Sequence, residues 1–92
     1  MTTVSAVERI GNDVYEYGIA SEAAGYRIML RTPTSAWESA CMGRHSTMKE
    51  AETRLGKGLA VSRFSVEITS DGLRAAYDAA IAEQARDRKS VV

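Results

Sequence analysis

The chain has 92 residues, of which 45% are hydrophobic and 26% charged, and its 12 basic residues balance its 12 acidic ones. This composition is typical of globular proteins and argues against a disordered chain, while the zero net charge gives no overall attraction to nucleic acid. A single cysteine excludes an internal disulfide, and no apolar run is long enough to cross a membrane. The N-terminus lacks a basic start followed by an apolar run, so we expect no secretory signal peptide. We expect residues 1–92 to form a single compact domain.

Three strands are predicted near the start of the chain. Val4–Ile10 and Val14–Ala20 flank the turn-forming residues Gly11-Asn12-Asp13, an arrangement typical of a β-hairpin. In the first of these segments, Ser5 and Glu8 would also suit a capping box and a short helix. Tyr26–Arg31 alternates apolar with other side chains and ends before Pro33, which cannot continue a strand ladder. These strands indicate the beginning of an antiparallel sheet.

The segment Ser35–Met42 fits two structures. Ser35 with Glu38 matches a helix capping box, in which the two side chains bond to each other's backbone N–H groups. The alternative is a strand over Ala36–Met42 that pairs back on the preceding strand. The capping signal favours the short helix.

The stretch Thr47–Ile68 predicts a helix followed by a strand. Gly56 and Gly58 predict the end of the helix, because glycine tolerates the left-handed turn that closes one. From Ala60 to Thr69, alternate residues are suited to opposite faces, which is the period of a half-buried strand. The helix carries an apolar stripe at spacings of three and four residues: Met48, Ala51, Leu55 and Leu59.

The last predicted element is a second main helix. Ser70 or Asp71 can cap its start, and apolar residues recur at helical spacing from Leu73 to Ala85. Residues 90–92 are expected to fray. In total we expect an α+β fold, in which an antiparallel sheet of about four strands has two main helices packed on one face.

Few residues suit catalysis. His45 is the only histidine, and Cys41 lies four residues before it. Such a pair could supply a nucleophile or two zinc ligands, but no third group is spaced to complete either site. We therefore expect Cys41 to be a small buried residue. We also expect the protein to be no enzyme and to use neither a metal nor another cofactor.

Charge is distributed unevenly along the chain. Residues 1–26 carry one basic and four acidic residues, whereas residues 27–63 carry seven basic and three acidic residues. Arg27 and Arg31 share one face of their strand, and Arg63 lies opposite the core-facing residues of the later strand. If the helices cover the other side, these arginines occupy the open sheet face, where guanidinium groups suit binding of phosphate or carboxylate. A plain solvated face fits the pattern equally well.

Three stretches carry a resemblance to a known family: Val7–Ala20 (VERIGNDVYEYGIA), Gly25–Arg31 (GYRIMLR) and Thr47–Val66. In these stretches the chain resembles the small phage-encoded anti-CRISPR proteins that act on the type I-F surveillance (Csy) complex. The resemblance implies a stoichiometric inhibitor that docks on this RNA-guided complex in the cytoplasm of the infected bacterial host and keeps target DNA from pairing with the guide. The partners would be protein subunits and guide-RNA phosphates, with neither a membrane nor a small-molecule substrate.

The family shares no binding signature, so the candidate contact residues come from the charge pattern alone. We expect the central basic residues to contact an acidic surface or guide phosphates. The candidate partner-binding residues are Arg27, Arg31, Arg63, Lys49, Arg54 and Lys57.

The alternative is a small DNA-binding phage regulator. Ser35–Met42 and Thr47–Leu55 would form a helix–turn–helix, with basic residues on the second helix. Glu50 and Glu52 near the start of that helix argue against it, because they would face phosphates. A structural phage protein or an antitoxin-like partner protein is a third hypothesis.

Overall fold

The structure, a computed structural model, describes residues 2–90, with side chains described for residues 2–86. Within that range, the sheet has the strand order β4-β3-β2-β1-β5, and every neighbouring pair is antiparallel. The predicted α+β fold is confirmed, with five strands rather than about four. Of residues 90–92, which are expected to fray, Ser90 is the last residue of the second helix, and Val91 and Val92 lie outside the described residues. The elements in chain order are β1 (Val4–Ile10), β2 (Asp13–Glu22), β3 (Gly25–Arg31), β4 (Glu38–His45), α1 (Met48–Ala60), β5 (Ser65–Ile68) and α2 (Asp71–Ser90).

Both helices lie on one face of the sheet. The first four strands form a meander, and α1 then returns across β4, β3 and β2 so that β5 can join the sheet beside β1. α2 packs on α1 and also contacts β5. The opposite side of the sheet is called the open face below, and it carries the alternate strand residues such as Glu16, Arg27 and Arg31. The buried core between sheet and helices consists of Ala6, Ile28, Ala51, Leu55, Leu59 and Leu73.

The short helix predicted at Ser35–Met42 is wrong, because β4 occupies most of this segment. β4 pairs with β3, as the strand alternative required. Ser35 caps no helix; its hydroxyl oxygen instead accepts hydrogen bonds from the backbone N–H and the hydroxyl of Thr32 across the turn at Pro33. Pairing with β3 gives β4 ladder hydrogen bonds on both sides of its bulge, which outweighs a local capping signal. The helix–turn–helix hypothesis loses its first helix for the same reason.

The predicted end of α1 at Gly56 and Gly58 is also wrong, because the helix continues to Ala60. Gly56 is buried where α1 meets α2. A Cβ atom at this position would lie 2.9 Å from the carbonyl carbon of Ala76 and 3.0 Å from the backbone nitrogen of Tyr77. Gly56 therefore serves close packing of two helices rather than the end of one, and this packing offsets its poor helix propensity.

β5 is shorter than the predicted strand over Ala60–Thr69. The first residue of that range ends α1, and the N–H of Ser62 donates to the carbonyl oxygen of Leu59 in a turn that follows the helix. Arg63 consequently lies in the loop at residues 61–64 and not on a strand. Its predicted place on a strand is wrong, so the alternation that assigned it to the open face does not apply to it.

A buried carboxylate joins the sheet to this loop. Glu8 on β1, between β2 and β5, is only 8% exposed. Its carboxylate accepts a hydrogen bond from the hydroxyl of Tyr17 at 3.0 Å and another from the hydroxyl of Ser62. Burial and the hydrogen bond to Glu8 raise the pKa of Tyr17 to about 12.

This raised pKa predicts a loss of stability in alkali that depends on Tyr17. Because the pKa is higher in the folded than in the unfolded chain, the contribution of Tyr17 is constant below about pH 10 and is lost as the pH rises towards about 12. Tyr17→Phe cannot ionise, so its free energy of unfolding should fall less between about pH 9 and about pH 11, by about 1 kcal/mol or less because solvent screens a partly exposed group. Urea unfolding of both proteins measures the difference. An equal fall in the free energy of unfolding for both proteins would contradict the raised pKa of Tyr17.

Candidate functional site

The open face brings together charged side chains from β2, β3 and β4. Ile28 of β3 is fully buried under the helices, so alternation along the strand sends Arg27 and Arg31 to the other side. The predicted orientation of these two arginines is confirmed. The antiparallel register then sets Arg31 opposite Glu16 and Arg27 opposite Arg44.

The arginines of the open face have carboxylate partners. The Nε–H of Arg31 donates to Glu16 at 2.8 Å, and this hydrogen bond lowers the pKa of Glu16 below its usual value. The Nε atoms of Arg27 and Arg44 lie 3.1 Å and 3.7 Å from the same carboxylate oxygen of Glu22. The acidic early part of the chain thus meets the basic central part in space. The charge asymmetry along the sequence is partly cancelled on this surface.

Trp37 covers the middle of the open face. Its ring centroid lies 4.7 Å from the guanidinium carbon of Arg31, a cation–π contact. The ring also reaches over Gly18 of β2, where a Cβ atom would lie 3.3 Å from Cη2 of Trp37 and 2.5 Å from the carbonyl oxygen of Thr3. Glycine at position 18 therefore makes room for the tryptophan and the N-terminal segment. Sequence reasoning placed Trp37 on a helix and missed this site; a glycine inside a strand was the signal that could have found it.

A shallow depression of about 340 Å³ lies on the β3–β4 side of the open face. The edge strand bulges there, with positive φ angles of 58° at Cys41 and 81° at Gly43. The register between β3 and β4 shifts at the same level. The bulge interrupts regular pairing and leaves room for a small ligand group. The residues that line the depression are Arg27, Ser39, Cys41, Gly43 and Arg44.

Cys41 and His45 do not form one site. Cys41 is exposed in the open-face depression, so its predicted burial is wrong. His45 pairs with Tyr26, whose side chain packs on the helix side of the sheet, so His45 lies on that side too. The Nε2 atom of His45 lies 3.0 Å from the carbonyl oxygen of Met42. Among the side chains of residues 2–86, no three histidine, cysteine or acidic groups are placed to hold a metal ion.

The structure divides the six predicted contact residues between different surfaces. Arg27 and Arg31 lie together on the open face, whereas Arg63 lies in the loop before β5. The six residues therefore form no continuous patch. The remaining three are exposed on α1, on the other side of the sheet: Lys49, Arg54 and Lys57.

Arg44 belongs to the open-face cluster, although sequence reasoning did not single it out for binding. The short-helix prediction ended at Met42 and left Arg44 in a connection. Only the strand alternative, continued past Gly43, would have placed Arg44 opposite Arg27.

These features define a small α+β protein whose antiparallel sheet has an open face with an arginine–glutamate cluster and a tryptophan. Comparison of the chain with models of protein families, with curated proteins and with solved structures finds no match. Within residues 2–90, no helix has the length and apolarity needed to cross a membrane.

Proposed function

We propose that this protein is a stoichiometric inhibitor that binds a type I-F CRISPR RNA-guided surveillance complex through its open face and blocks the binding of target DNA. The observation that carries the proposal is the stack of Arg31 on Trp37, beside Arg27 and Arg44, on a sheet face that neither helix covers. Tryptophan and arginine are the residue types that most often dominate the binding energy of protein interfaces. The resemblance to type I-F anti-CRISPR proteins supplies the partner.

The internal ion pairs of the open face favour such a role. They hold long side chains near one conformation before binding, which lowers the entropy lost when a partner docks. A surveillance complex holds guide and target in positively charged channels. The carboxylates of Glu16 and Glu22 can pair with basic groups there, while the arginines can pair with acidic groups or guide phosphates. Inhibition by occupancy needs no reaction, so the proposal includes no enzymatic activity and no cofactor, and it places the protein in the host cytoplasm.

The test reverses the charge of Arg27 and Arg31 together. Arg27→Glu with Arg31→Glu should weaken co-elution with a purified type I-F complex by about tenfold or more, because two interface arginines become acidic. The free energy of unfolding should fall by about 1–2 kcal/mol, since the lost ion pairs are partly exposed and the new carboxylates face Glu22 and Glu16. Target-DNA binding by the complex, followed in a gel shift, should recover in parallel.

Two control variants separate docking from folding. Glu16→Arg with Arg31→Glu swaps the two residues of one ion pair, so the pair is kept within the protein. If the partner binds an arginine at position 31, this variant should still fail to dock. Lys57→Glu applies the same charge change on α1, on the other side of the sheet, and should bind as the unmodified protein does. Full binding by the double reversal, or an equal loss with Lys57→Glu, would contradict docking through the open face. Failure of the unmodified protein to co-elute would remove the proposed function.

A further inference from the structure

Two guanidinium groups share one carboxylate at the depression between β3 and β4. Arg27 and Arg44 are partners across the strands, and the Nε atom of each faces the same oxygen of Glu22. One carboxylate balances one guanidinium, so the cluster keeps one positive charge. Each guanidinium has about five N–H donors, whereas a carboxylate accepts about four hydrogen bonds, which leaves donors for a further anion. The side chains of Arg27 and Arg44 are 32% and 48% exposed, so such an anion can reach them.

A second recognition element lies further along β3 on the same face. Arg31 follows Arg27 by four residues, a distance of about 13 Å along a strand, and Trp37 stacks on Arg31. Met29, between the two arginines, pairs with Gly18, which the ring of Trp37 also covers. The open face therefore presents an unbalanced cationic cluster and, beyond Met29, an aromatic ring stacked on Arg31.

The cationic cluster and Trp37 together favour one kind of anionic partner, nucleic acid, over an acidic protein segment. Proteins that bind single-stranded nucleic acid pair cationic groups along the backbone with aromatic side chains on which bases stack. A segment of acidic side chains alone would satisfy the guanidinium groups but has no planar group to stack on Trp37. We propose that the open face binds single-stranded nucleic acid, with one phosphodiester between Arg27 and Arg44 in the depression and a base against Trp37. The protein should bind such a strand by itself, in the absence of any surveillance complex. This inference therefore goes beyond the proposed function and does not require it.

The experiment measures the binding of a fluorescent oligouridine RNA of about ten nucleotides to the isolated protein at several salt concentrations. The unmodified protein should bind the RNA, and the logarithm of its binding constant should fall with the logarithm of the salt concentration by about 0.7 for each phosphate contacted. Arg44→Gln should weaken binding about tenfold at low salt and reduce that slope by about 0.7. Trp37→Ala should weaken binding by about tenfold or more with little change in slope, since stacking releases no counterions.

Arg74→Gln makes the same chemical change on α2, on the other side of the sheet, and is the matched control, so it should bind RNA as the unmodified protein does. No RNA binding by the unmodified protein, an unchanged slope in Arg44→Gln, or an equal loss in Arg74→Gln would overturn the proposal. Displacement of the RNA by inorganic phosphate at the same phosphate concentration would also overturn it, because the site would then bind simple anions. Tighter binding of an oligoglutamate peptide of equal charge would assign the face to acidic proteins and overturn it too. Co-elution with the type I-F complex is measured separately, so either proposal can fail while the other stands.

Discussion

Gly56→Ala is expected to lower the free energy of unfolding by about 1–3 kcal/mol, although alanine is the better helix former. The added Cβ would come within 3.0 Å of backbone atoms of Ala76 and Tyr77, so α1 and α2 must move apart. Backbone atoms cannot rotate away as a flexible side chain can. Separation of the helices would also weaken the packing around Leu73, which is fully buried. Urea unfolding followed by circular dichroism measures the change.

Gly58→Ala, two residues along the same helix, is the matched control. A Cβ atom there would lie 3.4 Å from Cε of Met42, which is an ordinary contact with the end of a flexible side chain. We expect this variant to gain about 0.5–1 kcal/mol from the higher helix propensity of alanine. A loss of stability equal to that of Gly56→Ala would show that helix contact is not the reason for the glycine at position 56.

Leu55→Ala is expected to lower the free energy of unfolding by about 2–5 kcal/mol. The Leu55 side chain is fully buried between α1 and the sheet, so its removal loses hydrophobic burial and leaves a cavity. A chain of this length has a total stability of about 5–14 kcal/mol, and the variant would lose a large part of it. Thermal and urea unfolding should both show the loss.

Met48→Ala tests whether burial, and not the sequence pattern, sets this cost. Met48 belongs to the same apolar stripe as Leu55, but it is 41% exposed at the first position of α1. We expect Met48→Ala to cost less than about 1 kcal/mol. Similar losses for the two variants would mean that the stripe as a whole, rather than the buried side chain, stabilises the domain.

The elements predicted correctly are those that local interactions define. The start of α1 is one example: the predicted stretch begins at Thr47, and the hydroxyl oxygen of Thr47 accepts a hydrogen bond from the N–H of Glu50 at 3.1 Å. The orientation of Arg27 and Arg31 is another, because alternation along a strand with one buried face leaves little choice. Both features involve residues within a few positions of one another.

The features missed are those that depend on distant partners. Glu38–His45 is a strand because it pairs with the edge of β3. The residues of the segment do not by themselves indicate that this edge is available. Arg44 enters the candidate site only through this pairing. The cation–π contact of Arg31 with Trp37 likewise requires the turn at Pro33 to bring the ring back over the sheet.

The amino-acid sequence alone determined the α+β class, the first hairpins, the two main helices and the face on which Arg27 and Arg31 lie, because periodicity and capping act over short distances. Only the tertiary structure decided that Gly56 packs helices rather than ends one. The tertiary structure also decided that Arg27 on β3 and Arg44 on β4 share the carboxylate of Glu22 on β2. These outcomes depend on which surfaces meet after folding. The free energy of burying one surface against another depends on both segments, so it cannot be predicted from the residues of one segment alone.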